Sequence, residues 1–251
     1  MPISLPNFKI APPVIGHRGA CAYAPENTLA SFLKAKQLGV KWVELDIQMT
    51  ADQELVVFHD DEISRTTNGR GRIQDHPLSY LKSLDAGSWF HPEFCGEKIP
   101  TLQEVISFFQ EQGLAVNIEI KPQSTDPKIM ADKIVEMIGE SLKKKTFPFF
   151  ISSFDTAILK QVKKANPALP IAHLADQWSD DWREICDELD CIAFGLNYKT
   201  VTEEKVREVL ATNRLVFSYT VNDPVVAARL FSWGVSVVFS DCPDKIMAAL
   251  A

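Results

Sequence analysis

No stretch of this 251-residue chain stays apolar for the roughly 18–20 residues that a membrane-spanning helix needs. Stable insertion into a bilayer is therefore not expected. Residues 1–13 lack a basic stretch followed by an apolar core, so a signal peptide is not expected either. The five cysteines (Cys21, Cys95, Cys186, Cys191 and Cys242) are odd in number and show neither paired nor metal-ligand spacing. A reduced, cytoplasmic chain is the simplest reading. A basic excess is missing too: 26 Lys and Arg face 33 Asp and Glu, a formal net charge of −7. That argues against nonspecific nucleic-acid binding but leaves room for a local positive pocket that holds an anion. There is no internal repeat and no low-complexity tract. Asn68-Gly69-Arg70-Gly71 lacks the following Lys-Ser/Thr of a nucleotide loop.

What the chain does contain is regular alternation. Eight short β-rich runs, most of them almost continuously apolar, occupy 14–17, 42–47, 115–120, 147–152, 170–174, 191–196, 215–220 and 235–240. Such runs suit strands buried on both faces of a parallel sheet. Helical patterns fall between them at 28–38, 102–112, 128–142, 156–165, 180–189, 203–212 and 224–233. Asn27 is placed to cap the first helix and Gly39 to end it, while Asp155 and Asp223 precede two others. The order predicts an α/β fold, a (β/α)8 TIM barrel spanning the chain as one domain, with a doubly wound open sheet as the structural alternative.

Two stretches break the alternation. The run 55–59 follows the second strand too closely for a parallel crossover, so the two must form an antiparallel hairpin. With Asp52-Gln53 as a two-residue turn, partners sum to 105. Asp46 then lies opposite His59, and Glu44 opposite Asp61. A slip of one residue would point His59 away. Residues 60–100 are long and irregular, yet carry Leu78, Leu81, Leu84, Trp89, Phe90 and Phe94. They read as a small packed cap inserted after the hairpin.

The chemistry gathers at the ends of the early strands. Glu44 and Asp46, two apart on one strand, point to one side and repel unless a proton or cation separates them. A hard divalent ion with oxygen ligands resolves the conflict. A solvated strand face is the alternative, opposed by the flanking Val43, Leu45 and Ile47. Glu119 and Lys121 repeat the spacing, offering a third carboxylate ligand and a cation for a bound phosphate, or else a solvent-facing pair. His17 and Arg18 end the first strand, and Gly19 lets the chain turn. Arg offers a planar fork to two phosphate oxygens. His17 and His59, at strands grouped with these acids, read as acid–base catalysts; His76, His91 and His173 read as structural or exposed.

With these residues assembled, the chain from about 14 to 249 resembles the glycerophosphodiester phosphodiesterases, most closely their small cytosolic bacterial members. Gly16-His17-Arg18-Gly19 with Ala24-Pro25-Glu26-Asn27-Thr28, Val43-Glu44-Leu45-Asp46, Val57-Phe58-His59-Asp60 and Asn117-Ile118-Glu119-Ile120-Lys121 carry the resemblance. Arg65-Thr66-Thr67-Asn68-Gly69, Leu84-Asp85-Ala86-Gly87-Ser88-Trp89-Phe90, Tyr219-Thr220-Val221-Asn222 and Ser240-Asp241 extend it. Tyr219 stands where Trp is frequent, and Gln53 where a turn Gly is common. The resemblance implies one divalent cation, Mg2+ or Ca2+, on Glu44, Asp46 and Glu119, with His17 and His59 as the catalytic pair. It implies hydrolysis of a small glycerophosphodiester to sn-glycerol 3-phosphate and an alcohol. The working hypothesis takes His59 as base and His17 as acid, an order that the sequence leaves open. Two other readings keep the site: a lysophospholipase D or sphingomyelinase D-like lipase, and a noncatalytic phosphodiester-binding module.

Overall fold

The computed structural model describes residues 10–123 and 125–250; most of the 1–13 segment, on which the signal-peptide expectation rests, lies outside them. Eight parallel strands form a closed barrel: β1 (Val14–Gly16), β2 (Trp42–Met49), β4 (Ala115–Ile120), β5 (Phe149–Ser153), β6 (Ile171–Ala175), β7 (Ala193–Asn197), β8 (Leu215–Tyr219) and β9 (Val237–Ser240). Closure is explicit in β1, which pairs with β9 through Val14↔Val238 and with β2 through Ile15↔Trp42. The remaining strand, β3 (Leu55–Val57), adds antiparallel to β2. The architecture is the (β/α)8 barrel that the alternation predicts. Among the described residues no helix is long and apolar enough to cross a membrane.

Both faces of the strands are buried, which accounts for their apolar runs. On β2, Val43, Leu45, Ile47 and Met49 point outward into a core shared with the helices. That core includes Phe32 of α1 (Leu29–Gln37) and Phe109 of α3 (Leu102–Gln112), whose rings meet edge to face at 5.1 Å. The α3 helix opens with a Thr101/Glu104 capping box and closes on left-handed Gly113. The alternate residues face inward. At the N-terminal end Trp42, Phe150, Phe217 and Phe239 stack in succession at 5.8, 5.3 and 5.9 Å and plug the barrel. Above this plug the inward positions turn polar: β2 continues with Glu44 and Asp46, β4 with Asn117 and Glu119.

The helix starts correct one expectation. Thr28, not Asn27, caps α1, accepting from Ser31 N. Asn27 has a positive φ of 57°, donates Nδ2 to Asp46 at 2.9 Å and accepts from Asp46 N at 3.3 Å. Asp155 and Asp223 do cap α5 (Thr156–Ala165) and α8 (Pro224–Trp233).

The hairpin register is also corrected. Observed partners are Ile47↔Val57, Gln48↔Val56 and Met49↔Leu55, which sum to 104 rather than 105. The loop holds three residues, not two: Thr50 and Glu54 pair by Thr50 N to Glu54 O, Gln53 N reaches Thr50 O, and Gln53 sits at φ 61°. A type I turn followed by a left-handed residue is a common three-residue hairpin. The slip does not carry His59 away, because the chain leaves the ladder after Phe58, whose N still donates to Asp46 O at 2.9 Å. Gln48 Nε2 then holds the departing segment through Phe58 O and Asp60 O, at 3.1 and 2.7 Å.

The segment that follows packs on its own small cluster, Val56, Phe58, Ile63, Ile73, Leu81, Leu84, Ala86 and Ile99, and carries the short helix α2 (Leu78–Ser83). Trp89, Phe90 and Phe94 meet one another edge to face near the surface.

The turn yields a stability prediction. Gln53 adopts a conformation natural to glycine, and only its backbone takes part in the turn's hydrogen bonds. Gln53→Gly is expected to raise unfolding free energy by about 0.5–1 kcal/mol, the left-handed strain relieved less the extra chain entropy. Urea unfolding measures this, and a loss of stability would contradict the turn geometry.

Candidate active site

The β2–β4 ladder places Asp46 beside Glu119 and Glu44 beside Asn117. Carboxylate oxygens of Glu44, Asp46 and Glu119 lie within 4.8 Å of one another. Glu44 Oε2 accepts from Arg18 N at 2.8 Å, whereas Oε1 is buried with no hydrogen-bond partner. Asp46 Oδ2 lies 3.3 Å from Arg18 Nε, and Lys121 Nζ lies 3.0 Å from Glu119 and 3.7 Å from Asp46. Burial, then the charges of Asp46 and Glu119, push Glu44 well above the ordinary carboxylate range. Burial and Asp46 push Glu119 up to about 7. Asp46 is equally buried, but Arg18, Lys121 and the Asn27 amide outweigh burial and hold it low. A buried acidic trio with an orphaned oxygen could hold a hard cation, and its oxygen donors suit Mg2+ or Ca2+.

The turn that presents Arg18 explains its glycines. A Cβ on Gly16 would lie 2.2 Å from Gly19 O, and Gly19 itself has φ +92°. Ser31 Oγ donates to Arg18 O at 2.8 Å, locking the turn to α1.

Each imidazole is tied to a carboxylate through Nδ1. His17 Nδ1 lies 2.6 Å from Asp241 Oδ1, and His59 Nδ1 lies 2.6 Å from Asp60 Oδ1. An ionised carboxylate only accepts, so both Nδ1 atoms carry hydrogen and Nε2 is left for chemistry. The two carboxylates differ in their other partners. Asp241 receives neutral donors, Asn222 Nδ2 at 2.6 Å and Cys21 Sγ at 2.9 Å. Asp60 receives the Arg65 guanidinium, which also forks onto Glu26 at 2.7 and 2.8 Å; Glu26 in turn accepts from Arg18 at 2.7 Å. Burial, with Arg18 and Lys121 adding to it, lowers His59 below its usual value despite Asp46.

All seven residues singled out in the sequence (His17, Arg18, Glu44, Asp46, His59, Glu119 and Lys121) line one cavity of about 500 Å³ at the C-terminal mouth of the barrel. Phe154, Leu174 and Tyr219 form an apolar wall to it. Tyr219 is fixed by its hydroxyl on Ala175 O at 2.8 Å and by edge-on contact with Phe154. His173 is buried outside the cavity against Phe194, and His76 and His91 lie in the inserted segment. Sequence reasoning missed the supporting shell. Asp60 adjoins His59 and Asp241 follows a strand, which were available signals; Arg65 and Glu26 stand in motifs of the resemblance, but nothing in their spacing says what they bond.

The sequence matches the Glycerophosphoryl diester phosphodiesterase family over residues 17–245. It is 37% identical over 246 residues to a glycerophosphodiester phosphodiesterase of Bacillus subtilis, covering 92% of this chain and 83% of that one. Identity is 34% over 236 residues to one from Caldanaerobacter subterraneus, covering 93% and 96%. An Oleispira antarctica phosphodiesterase solved with the product sn-glycerol-3-phosphate superposes with a TM-score of 0.89 at 37% identity, over 95% of this chain and 96% of that one.

Asp60 makes the support of His59 measurable. Although burial opposes it, Arg65 and His59 hold Asp60 at about 2, below its ordinary 3.8. A carboxylate held low in the folded state adds stability above its unfolded pKa, and loses it as pH falls through the folded one. The gap in unfolding free energy between wild type and Asp60→Asn should therefore be full above about pH 5 and narrow from pH 3.8 toward 2. Urea titrations across that window test this; a gap independent of pH would show that Asp60 is not so held.

Proposed function

This chain belongs to the glycerophosphoryl diester phosphodiesterase family and is an enzyme of that class; we propose that it hydrolyses small glycerophosphodiesters to sn-glycerol 3-phosphate and an alcohol, by cation-dependent catalysis with His17 and His59 as the acid–base pair. The observation that carries this reading is the meeting of two carboxylate-held imidazoles, two cations and three buried carboxylates at one cavity. Glu44, Asp46 and Glu119 would hold the cation, which when bound supplies charge stabilisation to the phosphoryl oxygens. Ionised, the trio exceeds Arg18 and Lys121 by one negative charge. A dication turns that excess into one positive charge, which a phosphodiester monoanion cancels.

Arg18 and Lys121 lie on either side of Asp46 and offer N–H donors to the non-bridging oxygens, where negative charge grows in the transition state. His59 is the base. Its lowered proton affinity keeps it neutral, and Asp60 fixes hydrogen on Nδ1 so that Nε2 takes the attacker's proton. His17 is the acid. Asp241, whose other donors are neutral, is the counter-ion for a cationic ring that passes the Nε2 proton to the leaving alkoxide. Asp60, by contrast, already shares its charge with Arg65. The nucleophile is water or the glycerol 2-hydroxyl, and a cyclic glycerophosphate among single-turnover products identifies the second. None of the cap residues Leu78, Leu81, Leu84, Trp89, Phe90 and Phe94 lines the cavity, so the acyl groove that a lysophospholipase D would need has no support. We place the reaction in the cytoplasm, in keeping with five free thiols.

His17→Ala and His59→Ala are each expected to lower kcat on glycerophosphocholine by about 10²–10⁴-fold. Both should keep the gain in melting temperature that excess Ca2+ or Mg2+ gives by binding the folded state. Chelation with EDTA should abolish wild-type turnover. Full activity after exhaustive chelation would refute the role of the cation, and wild-type kcat in either alanine variant would refute the acid–base pair.

A further inference from the structure

Beside the carboxylate trio lies a second convergence of donor atoms, of different chemistry. His17 Nδ1, Cys21 Sγ and a carboxylate oxygen of Asp241 lie within 4.8 Å of one another. The nitrogen and the sulfur both point a hydrogen at the same oxygen, Asp241 Oδ1, at 2.6 and 2.9 Å. The carboxylate is itself held from behind, Oδ2 by Asn222 Nδ2 at 2.6 Å and the backbone by Asp241 N to Asn222 Oδ1 at 2.8 Å. Two of the positions are set by strand ends: His17 follows β1, Asp241 follows β9, and His17 N bonds Ser240 O across that ladder, while Cys21 lies in the turn after His17. His17 lines the cavity, which opens a route from solvent.

We propose that His17, Cys21 and Asp241 form a second metal site, selective for a borderline-soft dication such as Zn2+, and that its occupation withdraws His17 from catalysis. The catalytic half of this statement rests on the function proposed above. Thiolate and imidazole donors favour Zn2+ strongly over Mg2+ and Ca2+, a preference that the all-oxygen trio lacks. Zn2+ held at about 2.0–2.3 Å spaces its donors roughly 3.3–3.8 Å apart, so the two short hydrogen bonds need open by less than about 1 Å. Solvent can fill a fourth position.

The balance is simple. His17 in its acid form loses the proton on Nδ1 and Cys21 loses the proton on Sγ, both to solvent. The ion takes a lone pair from each atom and one from Asp241. One dication replaces two protons, so the net charge of the cluster is unchanged. The ring that remains is neutral, carries hydrogen only on Nε2, and has lost Asp241 as counter-ion. It is a poor acid toward the leaving alkoxide.

Cobalt(II) reports thiolate ligation directly, without substrate. The full-length protein with Mg2+ in excess, titrated with Co2+, is expected to develop a near-ultraviolet thiolate-to-cobalt absorption that Zn2+ abolishes. Cys21→Ser keeps a hydroxyl to donate to Asp241 and should lack the band. In turnover assays with saturating Mg2+, Zn2+ should inhibit wild type. Cys21→Ser should turn over in the absence of zinc and need at least about tenfold more zinc for half-inhibition. No thiolate band in wild type, or the same band in Cys21→Ser, overturns the site. Equal zinc sensitivity of the two proteins overturns the inhibition. Failure of the catalytic reading shows elsewhere, as undiminished turnover in His17→Ala, while the cobalt spectrum still judges the site.

Discussion

The parallel pairing of β2 with β4, at the register that sets Trp42 beside Ala115, is the constraint from which the rest of the site follows. Successive inward positions rise from that level in steps of two. Trp42 belongs to the aromatic plug, Glu44 stands beside Asn117, and Asp46 stands beside Glu119. A slide of one residue would turn the acids toward the helices and the isoleucines toward the cavity. The outward residues Val43, Leu45, Ile47 and Met49 prevent it, because each is packed into the apolar layer under α1 and α3. Burial of hydrocarbon on one face of the strand thus holds mutually repelling carboxylates together on the other. Those carboxylates would not assemble by their own interaction. Burial and like charge raise two of them, Glu44 well above the ordinary carboxylate range and Glu119 to about 7.

Much of this was readable from the amino-acid order. Near-continuous apolar runs mark strands covered on both faces, and their count and spacing lead to the barrel. The i, i+2 spacing of Glu44 with Asp46 and Glu119 with Lys121 marks charged groups sharing one side of a strand. What escaped reading depended on backbone detail or on distance along the chain. The hairpin was assigned a two-residue turn because Asp52-Gln53 looked like its tip. The third loop residue is revealed only by the positive φ of Gln53, an unusual conformation for that residue. Asn27 looked like a helix cap because asparagine commonly is one, yet its amide serves Asp46, 19 residues away. Arg65 sits in an irregular stretch with no periodicity to say which way it reaches.

Arg65 gives the insertion a purpose that its composition does not. His17 is placed by the barrel itself, at the end of β1 and bonded across to β9. His59 has no such frame, since the bonding to β2 ends with Phe58 N on Asp46 O and the ring lies beyond it. Polar contacts replace the missing ladder. Gln48 grips the backbone on both sides of His59, Asp60 grips the ring, and Arg65 ties Asp60 to Glu26, which also holds Arg18. Glu26 is therefore a joint between Arg18 and the second histidine. The apolar cluster under the insertion anchors the segment from which Arg65 extends.

The two histidines consequently differ in more than position. One leans on a carboxylate whose partners are all neutral, the other on a carboxylate already shared with a guanidinium. In a partly dry cavity this difference is worth more than it would be in water, because charges that solvent cannot screen act at full strength over a few ångströms. A carboxylate with uncancelled charge stabilises a cation beside it. One that is cancelled orients a ring without charging it. The same pair of residue types, His with Asp, is thereby given two different electrostatic surroundings by the third residue behind each: Asn222 in one case and Arg65 in the other.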